Sequence, residues 1–379
     1  MARILYGKPL ADEMAAALAE RARRLASSGV TPCLAVVRVG GRSDDIAYES
    51  SIAKRADSVG ISLRRVVVDD GVDGCGGLGS GLGDGVINGC GAGLGSGSDG
   101  SVGQNNSSEK KLLAALRELA ADPGVHGILL FRPLPSGMDE ALALAAIPAE
   151  KDVDGVTQTQ MAALYSMKKI PPADAGGNIF FPCTAEAAVR LLDYWKVPVA
   201  GKSACVVGRS TVIGKPAAHL LLAQGATVTV CHSGTPELAA ATRGADIVVA
   251  AAGLARGGRG QRMGAEYFSA GQAVVDVAVN ADGDGLYGDV DTEAALEAVS
   301  AAGVGGVGER AESGGAAGDG GVGERAENGG VGVACVGERA GRGGAAGGVS
   351  PVPGGLGAVT TLVLMEHVIR SAEMAGIHG

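Results

Sequence analysis

The sequence predicts an α/β protein of two domains, each built around a parallel β-sheet. Three observations lead to this class. The chain has 379 residues, which is the length of about two domains. Its hydrophobic content of 46% is enough for two cores, and the 3% aromatic content leaves alanine, valine and leucine to fill them. In both halves, short apolar segments alternate with amphipathic helical patterns, which is the order of β-α-β units.

The N-terminal half alternates helices and strands. Apolar residues from Leu10 to Leu25 fall near one face of a helix over residues 10–27, opposite charged residues. A second helix, over 44–59, can end at Gly60 because glycine accepts the left-handed conformation. The other predicted elements are strands at Cys33–Val39, Ser62–Val68 and Gly127–Phe131 and a helix at 108–121.

The segment 203–216 (SACVVGRSTVIGKP) joins a buried strand to a helix through a tight turn, with Gly208 after the strand and Gly214 at the helix start. Unpaired N–H groups and the positive end of the helix dipole favour phosphate binding at such a junction. A Cβ at these positions would block the pyrophosphate or the helix–strand contact. We therefore predict cofactor contacts from Gly208, Arg209 and Ser210. The spacing differs from G-x-G-x-x-G, so a purely structural turn stays an alternative.

Three further apolar strands, predicted at 225–231, 245–251 and 272–279, extend this half into a Rossmann-like parallel sheet. Ser233 follows the first of them, where an acid would bind a free ribose 2′-hydroxyl. Because serine stands there, Ser233 and Arg209 could together hold a 2′-phosphate. NADP is the predicted cofactor, and NAD beside an inorganic phosphate is the alternative. Val279, at the end of the last strand, is also assigned to cofactor binding.

Composition excludes several classes of partner. The net charge of −9 argues against nucleic acid or an anionic membrane surface. The N-terminus has no signal-peptide pattern, and no apolar run is long enough to span a membrane. The seven cysteines are scattered, which is typical of reduced cysteine in the cytoplasm. No cysteine or histidine cluster has zinc-ligand spacing, so we predict no metal.

Two stretches differ from the rest of the chain. Residues 71–107 are rich in glycine and serine, and residues 303–348 are glycine-rich with a Val-Gly-Glu-Arg tetrapeptide repeated three times. Such segments cannot bury enough apolar area to offset their ordering entropy. We predict two flexible insertions. A last helix, over about 358–375, is expected to return and pack on the first domain.

Short motifs outside the insertions occur in a characteristic order. They are Ile4–Leu10 (ILYGKPL), Pro133–Pro135 (PLP), Lys151–Gly155 (KDVDG), Pro182–Thr184 (PCT), Val207–Ser210 with Gly214–Pro216, Cys231–Ser233 (CHS), Gly288–Val290 (GDV) and Pro351–Gly357 (PVPGGLG). This ordered set resembles the bifunctional methylenetetrahydrofolate dehydrogenase/methenyltetrahydrofolate cyclohydrolase family.

The resemblance implies two α/β domains with the active-site cleft between them. A folate-binding catalytic domain would comprise residues 1–148 plus 356–379, and an NAD(P)-binding Rossmann-like domain residues 149–355. It also implies tetrahydrofolate derivatives as substrates and a homodimer. In such an enzyme the methylene group bridging two folate nitrogens gives hydride to the nicotinamide, and water then hydrolyses the resulting cation to 10-formyltetrahydrofolate.

The resemblance also assigns substrate contacts. Asp154 would bind the amino-pyrimidine edge of the pterin, because a carboxylate can accept two hydrogen bonds there. Pro353, Gly354 and Gly355 would bring backbone close to the folate. For Asp154 and its neighbour Asp152, a turn or helix cap is the simpler alternative.

The chain departs from the family where hydrolysis takes place. Tyr48 is followed by Ile52 at the family's catalytic lysine position and by Lys54 two residues later, and Phe131 replaces a frequent glutamine. Tyr48 and Phe131 are assigned to the substrate, and Tyr48, Lys54 and Asp154 to catalysis. On an ideal helix Lys54 lies about 120° round from Tyr48. In one interpretation, Lys54 acts as the base from a shifted geometry, helped by Arg132, and replacing Lys54 by alanine removes hydrolysis. In the other, cyclohydrolase activity is weak or absent.

Two rival functions remain. A non-catalytic dinucleotide-binding module would bind cofactor but not folate, and it gives no reason for the motifs at Lys151–Gly155 and Pro351–Gly357. A dehydrogenase of small hydroxy or keto acids would normally place a histidine acid near the cleft. His126 precedes a strand and His219 lies in the helix after the phosphate loop, so neither suits that role.

Overall fold

The computed structural model describes residues 2–69, 100–170, 179–301 and 347–377, with the side chains of 100–106 and 377 left out. The helices and strands are, in chain order, β1 (Arg3–Ile4), α1 (Lys8–Ser27), β2 (Cys33–Val39), α2 (Ser43–Val59), β3 (Ser62–Val68), α3 (Gly100–Ala121), β4 (Gly127–Leu130), α4 (Glu140–Ala145), α5 (Gln158–Ser166), α6 (Cys183–Tyr194), β5 (Ser203–Val207), α7 (Gly214–Ala223), β6 (Thr227–Cys231), α8 (Leu238–Arg243), β7 (Ile247–Ala250), β8 (Ala273–Asp276), β9 (Asn280–Asp282), β10 (Gly285–Tyr287), α9 (Thr292–Ser300), β11 (Gly348–Ser350) and α10 (Gly357–Ile377).

The first sheet has three parallel strands in the order β3-β2-β4. Its central strand buries alternate residues on opposite faces, as the pleat requires. Leu34 and Val36 join a core with α1, α2 and α10, whereas Ala35 and Val37 join a core with α3 and α4. The strands at Cys33–Val39 and Ser62–Val68 match the sequence prediction in both bounds.

The second sheet has six parallel strands in the order β1-β11-β8-β7-β5-β6, which confirms the predicted α/β class. Its members include β1, where Arg3 pairs with Gly348 and Ile4 with Val349. From the sequence alone, residues 3–4 belong to the first domain and residue 348 to an insertion. Strands of two and three residues are too short to show a periodic pattern, so composition alone could not reveal this pairing.

Helices form a layer shared by the two sheets. One face of each sheet packs with residues of α1, α2, α6, α7 and α10 in a single continuous hydrophobic core. Helix α10 is central, because it contacts α1, α2, α6 and the strands β2 and β4. It therefore returns to the first sheet, as expected for the last helix.

The predicted insertions lie mostly outside the described residues. At the edge of the first, α3 already begins at Gly100, so residues 100–107 are helical rather than part of a spacer. Glycine and serine disfavour helix interiors, so the composition gave no sign of this extension. Among the described residues, no helix has the length and apolarity needed to cross a membrane.

Candidate active site

The segment Lys151–Gly155 is fixed in place by its own side chains. The ammonium group of Lys151 donates to three backbone carbonyls at the end of α3: those of Leu119 (3.2 Å), Ala120 (2.8 Å) and Asp122 (2.6 Å). The buried Asp152 carboxylate accepts from the N–H groups of Val156 (3.2 Å) and Thr157 (2.7 Å). These hydrogen bonds therefore support the alternative in which Asp152 caps a turn.

Gly155 has a conformational reason to be glycine. Its φ of +68° lies in the left-handed region, and a Cβ would lie 2.4 Å from the Phe180 carbonyl oxygen. Val153, on the other side of Asp154, is fully buried. The backbone on both sides of Asp154 is thus held independently of the Asp154 side chain.

Asp154 is the member of this segment whose carboxylate remains available. One quarter of its side chain is exposed, and its nearest ionic partner is Arg132, with Nη2 3.7 Å from Oδ2. Burial raises the pKa of Asp154 to about 6, although the charge of Arg132 opposes this rise. Asp152 adds to the rise, and the Cys183 thiol and His367 lower it. The carboxylate can therefore gain a strong partner when a ligand with N–H donors arrives.

Tyr48 and Phe131 lie beside Asp154. Their ring centroids are 5.5 Å apart, with the ring planes inclined at 35°. Tyr48 is 43% exposed as a residue, but protein encloses its hydroxyl end. This burial, and secondarily the charges of Asp154 and Cys183, raise the pKa of Tyr48 well above its usual value. The structure thus brings Tyr48, Phe131 and Asp154 together, with Tyr48 as a neutral hydroxyl.

Lys54 does not join this group. It is exposed on α2, and within the described ranges it makes no hydrogen bond or ion pair. Ile52, one turn after Tyr48, is completely buried in the shared core. The helix is regular from Ser43 to Val59, so the 120° separation of Lys54 from Tyr48 is kept. The shifted geometry that the sequence analysis considered for Lys54 is absent.

Arg132 provides the positive charge at this site instead. Its side chain is 14% exposed and lies between two carboxylates, with Nη1 3.3 Å from Glu140 Oε1. From the sequence alone, Arg132 is expected only to help Lys54. The signal for a larger role was its position directly after Phe131, at the end of β4.

The phosphate loop follows β5 as expected. A Cβ on Gly208 would lie 2.3 Å from the Ala251 carbonyl oxygen, and one on Gly214 would lie 2.3 Å from the Gly208 carbonyl oxygen. The Ser210 hydroxyl accepts from the N–H groups of Ile213 (3.2 Å) and Gly214 (3.3 Å), and so shapes the loop itself. Arg209 is exposed at the start of the loop.

The other assigned cofactor residues also follow strand ends of the six-stranded sheet. Ser233 is exposed two residues after β6, and Val279 is 63% exposed three residues after β8. Because the strands are parallel, the segments after β5, β6, β8 and β11 meet at one edge of the sheet. This edge is where nucleotides bind in open α/β sheets.

Pro353, Gly354 and Gly355 lie between β11 and α10, on the same edge. The Gly7 N–H donates to the Gly354 carbonyl (3.0 Å), and a Cβ on Gly7 would come within 1.8 Å of the Gly355 oxygen. Pro353 and Gly354 are exposed, whereas Gly355 is buried. Gly7 therefore allows this segment to lie close to the start of α1, while Pro353 and Gly354 stay exposed to solvent.

A cavity of about 820 Å³ lies between the two halves of the chain. It is lined by Glu140 of α4, Tyr165 of α5 and, from the phosphate loop and α7, Thr211 and Lys215. Tyr48 and Asp154 are not among its lining residues. In the part of the chain that the structure describes, no group of three histidine, cysteine or acidic side chains is arranged to hold a metal ion.

Comparisons with known proteins agree with this arrangement. The family described as tetrahydrofolate dehydrogenase/cyclohydrolase matches twice, with its catalytic domain over residues 93–154 and its NAD(P)-binding domain over residues 182–311. The bifunctional protein FolD of Alkaliphilus oremlandii is 32% identical over 375 residues, covering 99% of this chain and 98% of the relative. That of Parafrankia sp. is 34% identical over 370 residues, covering 98% and 99%.

Solved structures show the same two-domain fold. The bifunctional FolD enzyme of Campylobacter jejuni has a TM-score of 0.71 at 26% identity, with 99% of each chain covered. The Trypanosoma brucei enzyme, solved with NADP and an inhibitor, has a TM-score of 0.70 at 24% identity, covering 100% of this chain and 99% of that one. These findings confirm the resemblance stated from the motifs: the chain belongs to the tetrahydrofolate dehydrogenase/cyclohydrolase family.

Proposed function

We propose that this chain oxidises 5,10-methylenetetrahydrofolate with NADP and hydrolyses the methenyl product to 10-formyltetrahydrofolate. The observation that carries the proposal is the Asp154 carboxylate, partly exposed on a rigid backbone beside Tyr48 and Phe131. The domain division at residues 148/149 and 355/356 is part of the proposal, with β1 contributing to the sheet of the second domain.

Asp154 recognises the pterin in this proposal. An ionised carboxylate accepts two parallel N–H bonds from the amino-pyrimidine edge, which fixes both the position and the orientation of the ring. Arg132, at 3.7 Å, is close enough to favour the ionised form without forming a tight bidentate pair that the ligand would have to break. Tyr48 and Phe131 supply apolar surface next to the ring.

The residues at the edge of the six-stranded sheet fit a dinucleotide. Gly208 and Gly214 leave room for a pyrophosphate at the start of α7, and Pro353 and Gly354 offer exposed backbone nearby. A bound nicotinamide dinucleotide supplies the hydride acceptor. The protein contributes orientation, because hydride transfer requires the folate methylene carbon and the nicotinamide ring at near contact.

The preference for NADP rests on Arg209 and Ser233. Both are exposed at the edge where the adenosine ribose of a bound dinucleotide would lie, and no acid directly follows β6 there. Replacing Arg209 by alanine should raise KM for NADP by about 10-fold or more and leave KM for NAD nearly unchanged, because a charged hydrogen bond is worth roughly 1.5–3 kcal/mol. Equal effects on both cofactors would contradict the preference.

Hydrolysis proceeds at this site without a lysine base. Ile52 is buried and Lys54 points to solvent, so the polar groups near the folate bridge are Tyr48, Arg132 and Asp154. Tyr48 keeps its proton and orients the attacking water, whose proton passes to solvent. We therefore expect hydrolysis to be slower than oxidation, so that the methenyl species accumulates transiently.

A direct assay tests the function. Purified protein should form NADPH when 5,10-methylenetetrahydrofolate is added, followed by a slower rise of 10-formyltetrahydrofolate. Lack of NADPH and of NADH formation would contradict the dehydrogenase. Permanent accumulation of the methenyl species would instead support the dehydrogenase-only alternative, which the apolar Ile52 and Phe131 favour.

Two further properties are proposed from the family resemblance. We propose a homodimer, which a mass measurement in solution tests. We also propose a cytoplasmic location, supported by the free, unbridged Cys33, Cys183, Cys205 and Cys231. Detection of the protein in a secreted fraction would contradict that location.

A further inference from the structure

His367, in the middle of α10, is a completely buried histidine that contacts the segment carrying Asp154. Its Nδ1 lies 2.8 Å from the Val153 carbonyl oxygen, and its Nε2 lies 3.0 Å from Glu186 Oε2 on α6. The centroid of the His367 ring also lies 5.0 Å from the centroid of the Phe180 ring. No motif of the sequence analysis includes His367.

The partners of His367 fix the orientation of its ring. A carbonyl oxygen can only accept, so Nδ1 donates to Val153. Glu186 is ionised: burial alone would raise the pKa of its carboxyl group, but the charge of His367 and contacts with Arg190 lower that pKa to about 2. The His367 ring is therefore held between the Val153 carbonyl and the ionised Glu186 carboxylate.

Cys183, His367 and Glu186 form a buried cluster behind Val153, in which Cys183 is not a nucleophile. The order of thiol, imidazole and carboxylate resembles that of a cysteine hydrolase. However, the Cys183 thiol is 3.7 Å from Nδ1, and Nδ1 already donates to Val153. The thiol donates to the same Val153 oxygen at 3.3 Å, and burial raises the pKa of Cys183 well above its usual value. His367 and Cys183 therefore hold the Val153 carbonyl in place, and the Cys183 thiol is not activated.

We propose that His367 is a positioning residue for pterin recognition, which fixes the Val153–Asp154 peptide and thereby the Asp154 carboxylate. Two donors, on α10 and α6, converge on the Val153 carbonyl, one residue before Asp154. This inference rests on the proposed function, since it assigns a role in folate binding.

The pH dependence of folate turnover depends on the charged groups that surround Asp154 and His367. Asp154 faces Arg132, Asp152, Tyr48, Cys183 and His367. His367 faces Glu186 of α6, and the surrounding ionic network contains Arg190, Glu366, Arg370 and, from α1, Arg21. Of the groups named here, His367 and Cys183 contact the Val153 carbonyl directly.

Two substitutions separate the hydrogen bond to Val153 from the other contacts of the His367 ring. His367→Asn keeps an N–H donor near the Nδ1 position, whereas His367→Leu removes the donor. With His367→Leu, kcat/KM for the folate should fall about 10- to 100-fold, mainly through KM, while the NADP dissociation constant is unchanged. With His367→Asn, most of this loss should be recovered. The acid limb of kcat/KM should move to higher pH in both variants, because His367 lowers the pKa of Asp154 in the parent protein.

An NMR titration of the Asp154 carboxyl carbon keeps the test independent of turnover. In His367→Asn the midpoint should lie at higher pH than in the parent protein. An unchanged midpoint and unchanged folate KM in a folded variant would overturn the proposal. If His367→Leu does not fold, His367→Asn and His367→Gln carry the comparison. If the parent forms no NADPH with the folate, the proposed function fails, and the titration alone decides whether His367 acts on Asp154.

Discussion

Replacing Asp154 by asparagine should remove folate turnover and leave the fold intact. Asparagine has the same shape, but its amide places a donor where the pterin also presents a donor. The complex then loses one charge-assisted hydrogen bond, about 1.5–3 kcal/mol, and leaves a second group unsatisfied, about 1–3 kcal/mol. The two losses add to about 2.5–6 kcal/mol, so we expect kcat/KM for the folate to fall on the order of 100- to 10,000-fold.

Asp152→Asn is the matched control, because it is the same substitution two residues away. The Asp152 carboxylate accepts one backbone N–H on each oxygen, from Val156 and Thr157. Asparagine keeps one acceptor, so the variant should lose about 1–3 kcal/mol of stability, which lowers Tm by roughly 2–5 °C. Asp154→Asn should change Tm much less, because no backbone hydrogen bond depends on its side chain.

The assays are steady-state NADPH formation with varied folate and thermal unfolding of both variants. NADP binding should be unchanged in Asp154→Asn, which separates lost pterin recognition from general damage. Near-parental kcat/KM in Asp154→Asn would refute the assignment. A stability loss in Asp154→Asn equal to that in Asp152→Asn would show that Asp154, too, is a structural cap.

Three further predictions concern the same site. The pKa of about 6 for Asp154 predicts that kcat/KM falls about tenfold per pH unit below pH 6, since only the ionised carboxylate accepts two bonds; a flat profile down to pH 5 would contradict this. Gly155→Ala should lower the free energy of unfolding by at least about 2–4 kcal/mol, because a Cβ at φ +68° meets the Phe180 carbonyl, and urea unfolding measures it. Lys54→Ala should leave both activities within about twofold of the parent, because Lys54 is exposed away from Tyr48, and loss of hydrolysis would restore Lys54 as the base.

Much of the fold was predictable because its signals are local and repeated. The strand Cys33–Val39 is an apolar segment buried on both faces, and Gly60 ends α2 in the left-handed conformation, as predicted. The strand Ser62–Val68 lies at the edge of its sheet and, although only Val68 is fully buried, its closing run of three valines favours a strand. The β1–β11 pair was not predictable, because it joins five residues more than 340 positions apart in the chain. Its stability comes from the neighbouring strand β8 and the core, not from a pattern of its own.

The candidate site was likewise predictable only in part. Asp154 and the glycines of the phosphate loop lie in motifs, so sequence could propose them. The position of Lys54 follows from helix geometry, which already placed it away from Tyr48. His367 could not be found from sequence, because a single histidine in an apolar helix is more often a packed core residue than a functional one. Only the three-dimensional structure places it against Val153 and Glu186.

A structure of the protein with NADP and a folate analogue bound tests the central claim most directly. We expect both Asp154 oxygens to lie within hydrogen-bonding distance of the amino-pyrimidine edge, with the pterin beside Tyr48 and its bridge facing the nicotinamide. A complex in which the pterin binds elsewhere and Asp154 contacts only Arg132 would contradict the account.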